Sequence, residues 1–535
     1  MTRHDAPRTL DALAARLVAE GRSRGARLAG RPIGIAGLPA VPITSVVLDS
    51  RRAIPGSLFV AIRGAHADGH DHASAAVDAG AVAVLVERAV PGVAVPQIVV
   101  VDARAALASA SAWSFGDPSH ALTVAGITGT DGKTTTSYLA VAALQAAGRA
   151  TGLIGTIATR IGGRTVDHEE HATTPEAPEL QAALRAMVDA GDDSAVIETT
   201  SHALALERVG SVAYDIAIMT NLTHEHLELH GTFEAYRSAK LRLFERLGER
   251  GPKSMPAGRA APQPTAIVNL DDPSAGAFIG AARDARGGGA RVITYGTDPA
   301  ADIRAIAVAE DTSGLRMDID GAAGRAAVTL RLAGRFNVHN ALAVIALGEA
   351  LGLDRARVRE GLASLERVPG RMERLDAGQP FGVLIDFAHS PASLSTVLDL
   401  LAPTAAARGG RLIAVFGSAG ERDTAKRPLM GRIAGERCAL VVLTDEDPRG
   451  EDREAILDDI ARGAEAAGRR RGHDLLLIAD RRAAIAAAFD AARPGDLVLL
   501  AGKGHEHSIV GAEGETPWDE RAAALEALGA MGYRP

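Results

Sequence analysis

The stretch LTVAGITGTDGKTTT, residues 122–136, decides the fold. Its first six residues, 122–127, read as a buried strand. A Gly-rich turn follows, and Gly132-Lys133-Thr134 opens a helix. Gly129 and Gly132 let backbone N–H groups converge on an anion, with Thr130 and Asp131 between them. Lys133 can reach the outer phosphates of a nucleotide, and the Thr134 hydroxyl can reach its Mg²⁺. Thr135 continues the turn. Ile127 stands where the usual G-x-x-x-x-G-K-[ST] spacing puts its first Gly, so this is a tighter variant. An ordinary Gly-rich strand-to-helix turn is the alternative reading.

Outward from this loop, the preceding segment mixes short strands and helices. Residues 81–87 (AVAVLVE) and 97–102 (QIVVVD) read as strands, and 107–115 as a helix ending at Gly116-Asp117-Pro118, a linker signal. Downstream, a Pro/Gly-rich stretch at 251–264 reads as a surface loop carrying Lys253. From about Arg371, strands at 383–386, 412–416, 440–444, 475–478 and 497–500 alternate with Ala-rich helices. Such alternation implies a parallel sheet covered by helices on both faces. The expected domains are 1–118, 119–369 and 370–535. The N-terminus has no apolar core and carries Asp5, Asp11 and Glu20, so it reads as an amphipathic surface helix and not a signal peptide. No apolar run reaches 18 residues, which excludes a membrane span by helix. A cytoplasmic protein, and a monomer, is the expectation.

Composition narrows the function. The 535 residues are 47% hydrophobic and 23% charged, with only 3% aromatics, so the cores are aliphatic. A net charge of -8 argues against a nucleic-acid partner bound through its phosphates. The one Cys, Cys438, excludes a disulfide framework and a Cys-ligated zinc site. Lys plus Arg is 58, yet the Lys are only Lys133, Lys240, Lys253, Lys426 and Lys503. A Lys kept in so Arg-biased a chain is a candidate for work that a guanidinium cannot do.

Two acid and histidine segments follow the loop. In VIETTSHAL (196–204), Glu198 ends an apolar strand, where α/β proteins place site residues. In NLTHEHLELHG (221–231), His224, His226 and His230 fail the HExxH zinc pattern. Zinc held by these three His, or Mg²⁺ held by Glu198 and one His, are both open. Lys240 lies fourteen residues after His226, flanked by Arg237 and Arg242. Lys, unlike Arg, can add CO₂ to form a carbamate, which would turn a cation into a carboxylate-like Mg²⁺ ligand.

Taken together and in order, these segments resemble the Mur ligase family over nearly the whole chain. LDSR (48–51), GSLFVA (56–61) and ADGH (67–70) resemble its uridine-nucleotide domain, with Leu48, Ser50, Ala65, His66 and Ala67 at matching positions. The phosphate loop resembles the family's GTxGKTT. The resemblance gives Thr173, Thr174, Thr200 and Arg208 to the muramoyl-dipeptide. It gives Thr134, Glu198, His226 and a carbamylated Lys240 to Mg²⁺, and Asn337, Asn340, Arg371, Asp386 and His389 to the ATP side. Lys133, Lys240, Arg371 and His389 are the implied catalytic set. GSAGERDTAKRPLMG (417–431), LTDEDPRGE (443–451) and GKGHE (502–506) resemble the amino-acid-binding domain. There Arg422, Asp447, Arg449, Gly502 and Glu506 would grip the incoming amino acid.

The implied fold is a three-domain α/β architecture with a central P-loop parallel-sheet domain and a C-terminal Rossmann-like domain. The implied reaction is ATP-dependent amide formation through an acyl phosphate. It adds a diamino acid (meso-diaminopimelate, lysine or ornithine) as third residue to UDP-N-acetylmuramoyl-L-alanyl-D-glutamate. Domain closure before chemistry is expected. Asp447 replaces the usual Asn, adding a charge that would suit an ammonium, while Arg449 suits a distal carboxylate. Ala172 and Leu206 depart from the usual Asn and Gln on the dipeptide side. A folylpolyglutamate-synthase-like ligase and a catalytically silent nucleotide-binding homologue are the competing readings.

Overall fold

The computed structural model describes residues 8–64, 67–166, 172–223, 227–249, 251, 253, 255, 259–311, 314–322 and 324–534. The chain forms two compact units. One comprises Met1–Val308, Met317–Thr329 and Phe336–Ser364, and the other Ala309–Arg316, Leu330–Arg335 and Leu365–Pro535. No described helix is long and apolar enough to cross a membrane.

The first unit carries two sheets. The N-terminal one has the spatial order Arg31–Ile33, Ser23–Leu28, Gln97–Val100, Ala83–Val86, Ser57–Val60, Ser45–Val47. Its last four strands are parallel. The helix Leu10–Ala19 packs onto it through Leu10, Leu13, Ala14 and Leu17, all at 0% exposure. Burying each Leu contributes about 1.5–3 kcal/mol, which fixes the apolar stripe inward and leaves the charges outside. The Gly-Asp-Pro linker signal is pinned from this helix. Arg16 donates both terminal nitrogens to Asp117, at 2.7 and 2.9 Å.

The second sheet of this unit holds the phosphate loop. Thr151–Ile154, Ser194–Glu198, Thr123–Thr128, Ile216–Met219, Thr265–Asn269 and Arg291–Gly296 lie in that order, all parallel. Parallel strands buried on both faces need continuous apolar runs, and the central ones are buried at every position. Their C-terminal ends share one edge, so residues far apart in sequence meet there.

The other unit has a sheet in the order Glu373–Leu375, Gly382–Asp386, Leu497–Ala501, Leu412–Phe416, Leu440–Leu443, Leu475–Leu477. All but the first strand are parallel. The five strands read from sequence are these five, with ends shifted by at most a residue. Apolar clusters cover both faces, one around Phe416 and Met430 and one around Phe489 and Phe381.

Lys253 overturns the expectation of a surface cation in a loop. Its side chain is 4% exposed, and its ammonium donates to Leu122 O at 2.9 Å and to Asp215 Oδ2 at 2.6 Å. Asp215 also accepts from Val124 N at 2.8 Å, so the pair ties the loop to the start of the strand that feeds the phosphate loop. Burial pushes the Asp215 carboxyl up and the Lys253 ammonium down, and each partner's charge opposes that shift. A buried pair broken on one side leaves an uncompensated charge. Lys253→Met should therefore lower the stability of this unit by about 3–5 kcal/mol, read from its urea unfolding midpoint. Adding Asp215→Leu should recover most of that loss; a double variant no better than the single one would contradict the pairing account.

Candidate active site

The phosphate loop is shaped by what it cannot contain. Gly129 has φ 149, and a Cβ there would lie 1.9 Å from Thr220 Oγ1. Gly132 has φ 81, and its Cβ would lie 2.4 Å from Asn340 Oδ1. The loop is held by the next strand's end: Thr130 N donates to Asn221 O and Asp131 N to Asn221 Oδ1, at 2.8 and 2.9 Å. The helix Lys133–Ala146 starts with no side-chain cap, so its first-turn N–H groups face an anion site. Lys133 donates to Gly129 O and Thr130 O at 3.0 and 2.7 Å. Lys240, 1% exposed, donates to the same Gly129 O at 2.7 Å, with its nitrogen 4.6 Å above the Tyr236 ring centre. Thr135 is buried in the same turn. Asn340 accepts from Thr136 Oγ1 at 3.1 Å and donates to Asn337 Oδ1 at 2.8 Å, so both asparagines back the loop.

Glu198 is fully buried at the end of its strand. It accepts from Thr134 Oγ1 at 2.9 Å, Ser137 Oγ at 3.2 Å, and Thr156 through Oγ1 at 2.8 Å and N at 3.1 Å. Burial, and after it the Glu198 charge, pushes the Tyr138 phenol up to about 12. A carboxylate ringed by hydroxyls is a hard oxygen set, which fits Mg²⁺. His226 and His224 lie outside the described residues. Among the described residues no group of three or more His, Cys, Asp or Glu is arranged to hold a metal ion.

Thr156 is a site residue that sequence reading missed. Nothing in GTIAT marks it, because its role comes from the neighbouring strand's carboxylate. Its Oγ1 also lies 3.1 Å from Thr173 Oγ1, which can donate to it. Thr174 Oγ1 donates to Glu198 O at 2.7 Å and lies 3.2 Å from Thr200 Oγ1. Arg208 Nη1 donates to Thr174 O at 3.0 Å, and its Nε lies 2.8 Å from Glu176. The threonines and Arg208 therefore form one continuous network with Glu198.

In the N-terminal sheet, Leu48 and Ser50 follow the strand Ser45–Val47, and Ala67 follows Ser57–Val60. These strands are parallel neighbours, so both turns share an edge. The Arg51 guanidinium and backbone hold the Asp49 carboxyl down at about 2. Ala65 and His66 lie outside the described residues.

In the second unit, four motifs sit on the C-terminal ends of four adjacent parallel strands. Asp386 accepts from Met372 N at 2.8 Å and Ala388 N at 2.9 Å, so it braces the GRME turn. Arg371 lies 5.0 Å over the Phe387 ring, which also packs on His389 and His505 at 4.5 and 4.8 Å. Lys426 donates to His389 O at 2.9 Å. Met372, Glu421 and Arg449 adopt positive φ of 47, 55 and 53. Left-handed backbone costs about 1–2 kcal/mol per non-Gly residue and concentrates at functional loops. Arg422 is exposed beside Glu421.

Beneath these loops, Arg481 and Glu520 form a pair at 2.6 Å, both side chains at 0% exposure. Arg481 also donates to Asp445 O and Ala501 O at 2.9 and 2.8 Å, and Trp518 Nε1 donates to Glu520 at 2.7 Å. One guanidinium thus fixes the residues just before Glu446-Asp447 and just before Gly502-Lys503. Asp447, whose added charge is expected to suit an ammonium, already has partners within the protein. Lys503, fully buried, donates to Asp447 Oδ1 at 2.8 Å and lies 2.6 Å from Glu506 Oε2. Val510 N donates to the same Asp447 oxygen at 2.9 Å. Burial raises the Glu506 carboxyl, against the lowering effect of Lys503.

Comparison with known proteins agrees with this geometry. Residues 42–113 match the Mur ligase family catalytic domain, 127–348 the Mur ligase middle domain, and 370–504 the Mur ligase glutamate ligase domain. The UDP-N-acetylmuramyl-tripeptide synthetase of Roseiflexus sp. (strain RS-1) is 49% identical over 92% of this chain and 95% of its own length. The UDP-N-acetylmuramoyl-L-alanyl-D-glutamate--2,6-diaminopimelate ligase of Geobacter metallireducens is 40% identical over 94% of this chain and 98% of its own. A solved structure of a ligase with that same activity superposes with a TM-score of 0.62 at 30% identity, covering 92% of this chain and 96% of that one.

His505 gives the second unit a pH signature. Burial, and after it the Arg371 charge, pushes its imidazole down to about 3 from 6.5. The unfolded chain takes up that proton near 6.5, so stability is full above that pH. It is lost as pH falls towards 3, by up to about 1.4 kcal/mol per pH unit. Acid unfolding of His505→Asn should show a shallower slope than the parent below pH 6.5; parallel curves would contradict the buried neutral imidazole.

Proposed function

The chain belongs to the Mur ligase family, as an ATP-dependent ligase that adds the third amino acid of the peptidoglycan stem, and from that premise we propose how its residues do so and which amino acid it takes. We propose domains at 1–118 for the uridine nucleotide, 119–369 for ATP and 370–535 for the amino acid. The dipeptide substrate is UDP-N-acetylmuramoyl-L-alanyl-D-glutamate, and the enzyme works in the cytoplasm as a monomer without a membrane or nucleic-acid partner. ATP phosphates lie on the first-turn N–H groups after Gly132, with Lys133 swung from the loop carbonyls onto them. An oxygen of the D-glutamyl γ-carboxylate attacks the γ-phosphorus and ADP leaves. The amine of the incoming amino acid then attacks the acyl phosphate, loses a proton and expels phosphate. Thr134, Glu198, His226 and a carbamate on Lys240 would hold Mg²⁺, which offsets charge on the transferring phosphoryl group. Thr156 and Ser137 orient Glu198.

The observation that carries the reading is the Glu198 network, which joins the phosphate loop through Thr134 to Thr173 through Thr156 and to Thr174 through the Glu198 backbone carbonyl. Phosphate transfer to a carboxylate needs those two sites to be contiguous. For the amino acid, meso-diaminopimelate is favoured. Asp447 is already paired with Lys503, so it does not select a simple diamine, and Arg449 remains for a distal carboxylate.

Phosphate release from ATP should require both the UDP-linked dipeptide and an amino acid. With meso-diaminopimelate, lysine and ornithine side by side, kcat/KM for the first should be higher by at least about tenfold. Release without the dipeptide would contradict the ligase reading, and equal use of lysine would contradict the Arg449 assignment. Lys240→Arg, which cannot carry a carbamate, should lose about 100-fold or more in kcat, and Lys240→Ala should regain part of its activity with added short carboxylates. Full activity in Lys240→Arg would remove the carbamate.

A further inference from the structure

The first unit also holds a cavity of about 240 Å³ that the proposed reaction does not use. All of its lining residues belong to that unit. The strands Ile303–Asp311, Gly314–Gly321 and Ala326–Leu330 contribute one side, through Ile303, Ile319 and Ala326. The helices Asn337–Ala350 and Arg355–Ser364 contribute the other, through Ile345 and Val358. The isoleucines and the valine are buried, so the floor is apolar. A Cβ at Gly348 would lie 2.9 Å from Val358 Cγ2, so the two helices already touch and cannot close further on the space. Protein interiors leave few voids larger than a water molecule. Water needs about two to four polar partners, which such a floor does not offer.

The polar lining is cationic. It consists of Arg325, Arg355, Arg359 and Glu349. Glu349 is taken by Arg355, at 2.8 Å. Arg325 and Arg359 form no ion pair among the described residues, so two guanidiniums remain uncommitted beside an apolar floor. Arg355 and Arg359 also stand one turn apart on one face of a helix with no acidic residue in its first turn. Like charges at that spacing repel, and cations near a helix N-terminus oppose its dipole. Asp354 caps the helix by accepting from Arg357 N at 2.9 Å, without pairing with either arginine. An anion between Arg325 and Arg359 would offset both costs. The guanidiniums leave no place for a cation, and the floor none for a fully hydrated anion.

We propose that this cavity binds a small apolar carboxylate, with its hydrocarbon body on the isoleucine floor and its charge between Arg325 and Arg359. A void of about 150 Å³ takes up benzene, so this one suits a ligand of about ten heavy atoms. The site is separate from the Glu198 network, although the helix Asn337–Ala350 reaches both, through Asn340 at one end and Gly348 near the other.

The test titrates the full-length protein with octanoate by calorimetry, with 1-octanol as the same body without charge and acetate as the charge without the body. Octanoate should saturate one site, octanol should bind at least about tenfold more weakly, and acetate should not saturate. Arg359→Gln should weaken octanoate by about tenfold. Ala326→Leu, which fills the cavity, should weaken it by at least as much. Thermal melting checks that each variant folds, and either one carries the test if the other does not. Octanol binding as tightly as octanoate, no saturable octanoate site, or an unchanged affinity in the folded variants would overturn the proposal. Binding is read without turnover, so its outcome is independent of the ligase reading.

Discussion

One carbonyl organises the first unit. Gly129 O accepts from both Lys133 and Lys240, two of only five lysines in the chain. It can do so because Gly129 holds a backbone conformation and a closeness to Thr220 that no side chain would allow. An ammonium is compact and has three donors in any direction, so it fits a narrow buried carbonyl site where a planar guanidinium would not. From that point the parallel sheet does the rest. Its strand ends bring Glu198, Thr156 and Asn221 to the loop although they lie up to about ninety residues away along the chain.

The second unit applies a guanidinium where its geometry suits. Arg481 is planar and multidentate, and it binds Glu520 and two strand-end carbonyls at once. Lys503 sits between two carboxylates, those of Asp447 and Glu506. The division between the two cations follows chemistry, not chance, and it fixes the loops at the C-terminal ends of these strands. Positive φ at Met372, Glu421 and Arg449 shows the same loops held in conformations that only surrounding contacts can maintain.

Much of this was legible in the residues. The buried strands of the second unit, Glu198 at a strand end and the loop at Gly129 follow from apolar runs and Gly spacing. The scarcity of lysine marked Lys133 and Lys240 for work a guanidinium cannot do and left Lys426 and Lys503 with motif membership and no derived role; in the structure Lys240 and Lys503 are buried and Lys426 donates to His389 O. The sequence misjudged Lys253, since a Pro/Gly-rich surrounding says nothing of Asp215, its buried partner thirty-eight residues earlier. The same limit explains Asp447: sequence shows the added charge but not the lysine that meets it from the next motif. Thr156 was invisible because a threonine acquires a role only from the carboxylate it faces. Pairings across a sheet are set by strand order, and strand order is a property of the whole fold.

Transfer of phosphate to a carboxylate at the Glu198 network is the central step of the proposed reaction. Dipeptide substrate labelled with ¹⁸O in the D-glutamyl γ-carboxylate tests that step directly, by mass spectrometry of the inorganic phosphate released during turnover. Attack of the carboxylate on ATP, followed by amide formation, leaves one labelled oxygen in each phosphate. Phosphate free of label would contradict the account, because it would mean that water, and not the carboxylate, had taken the phosphoryl group.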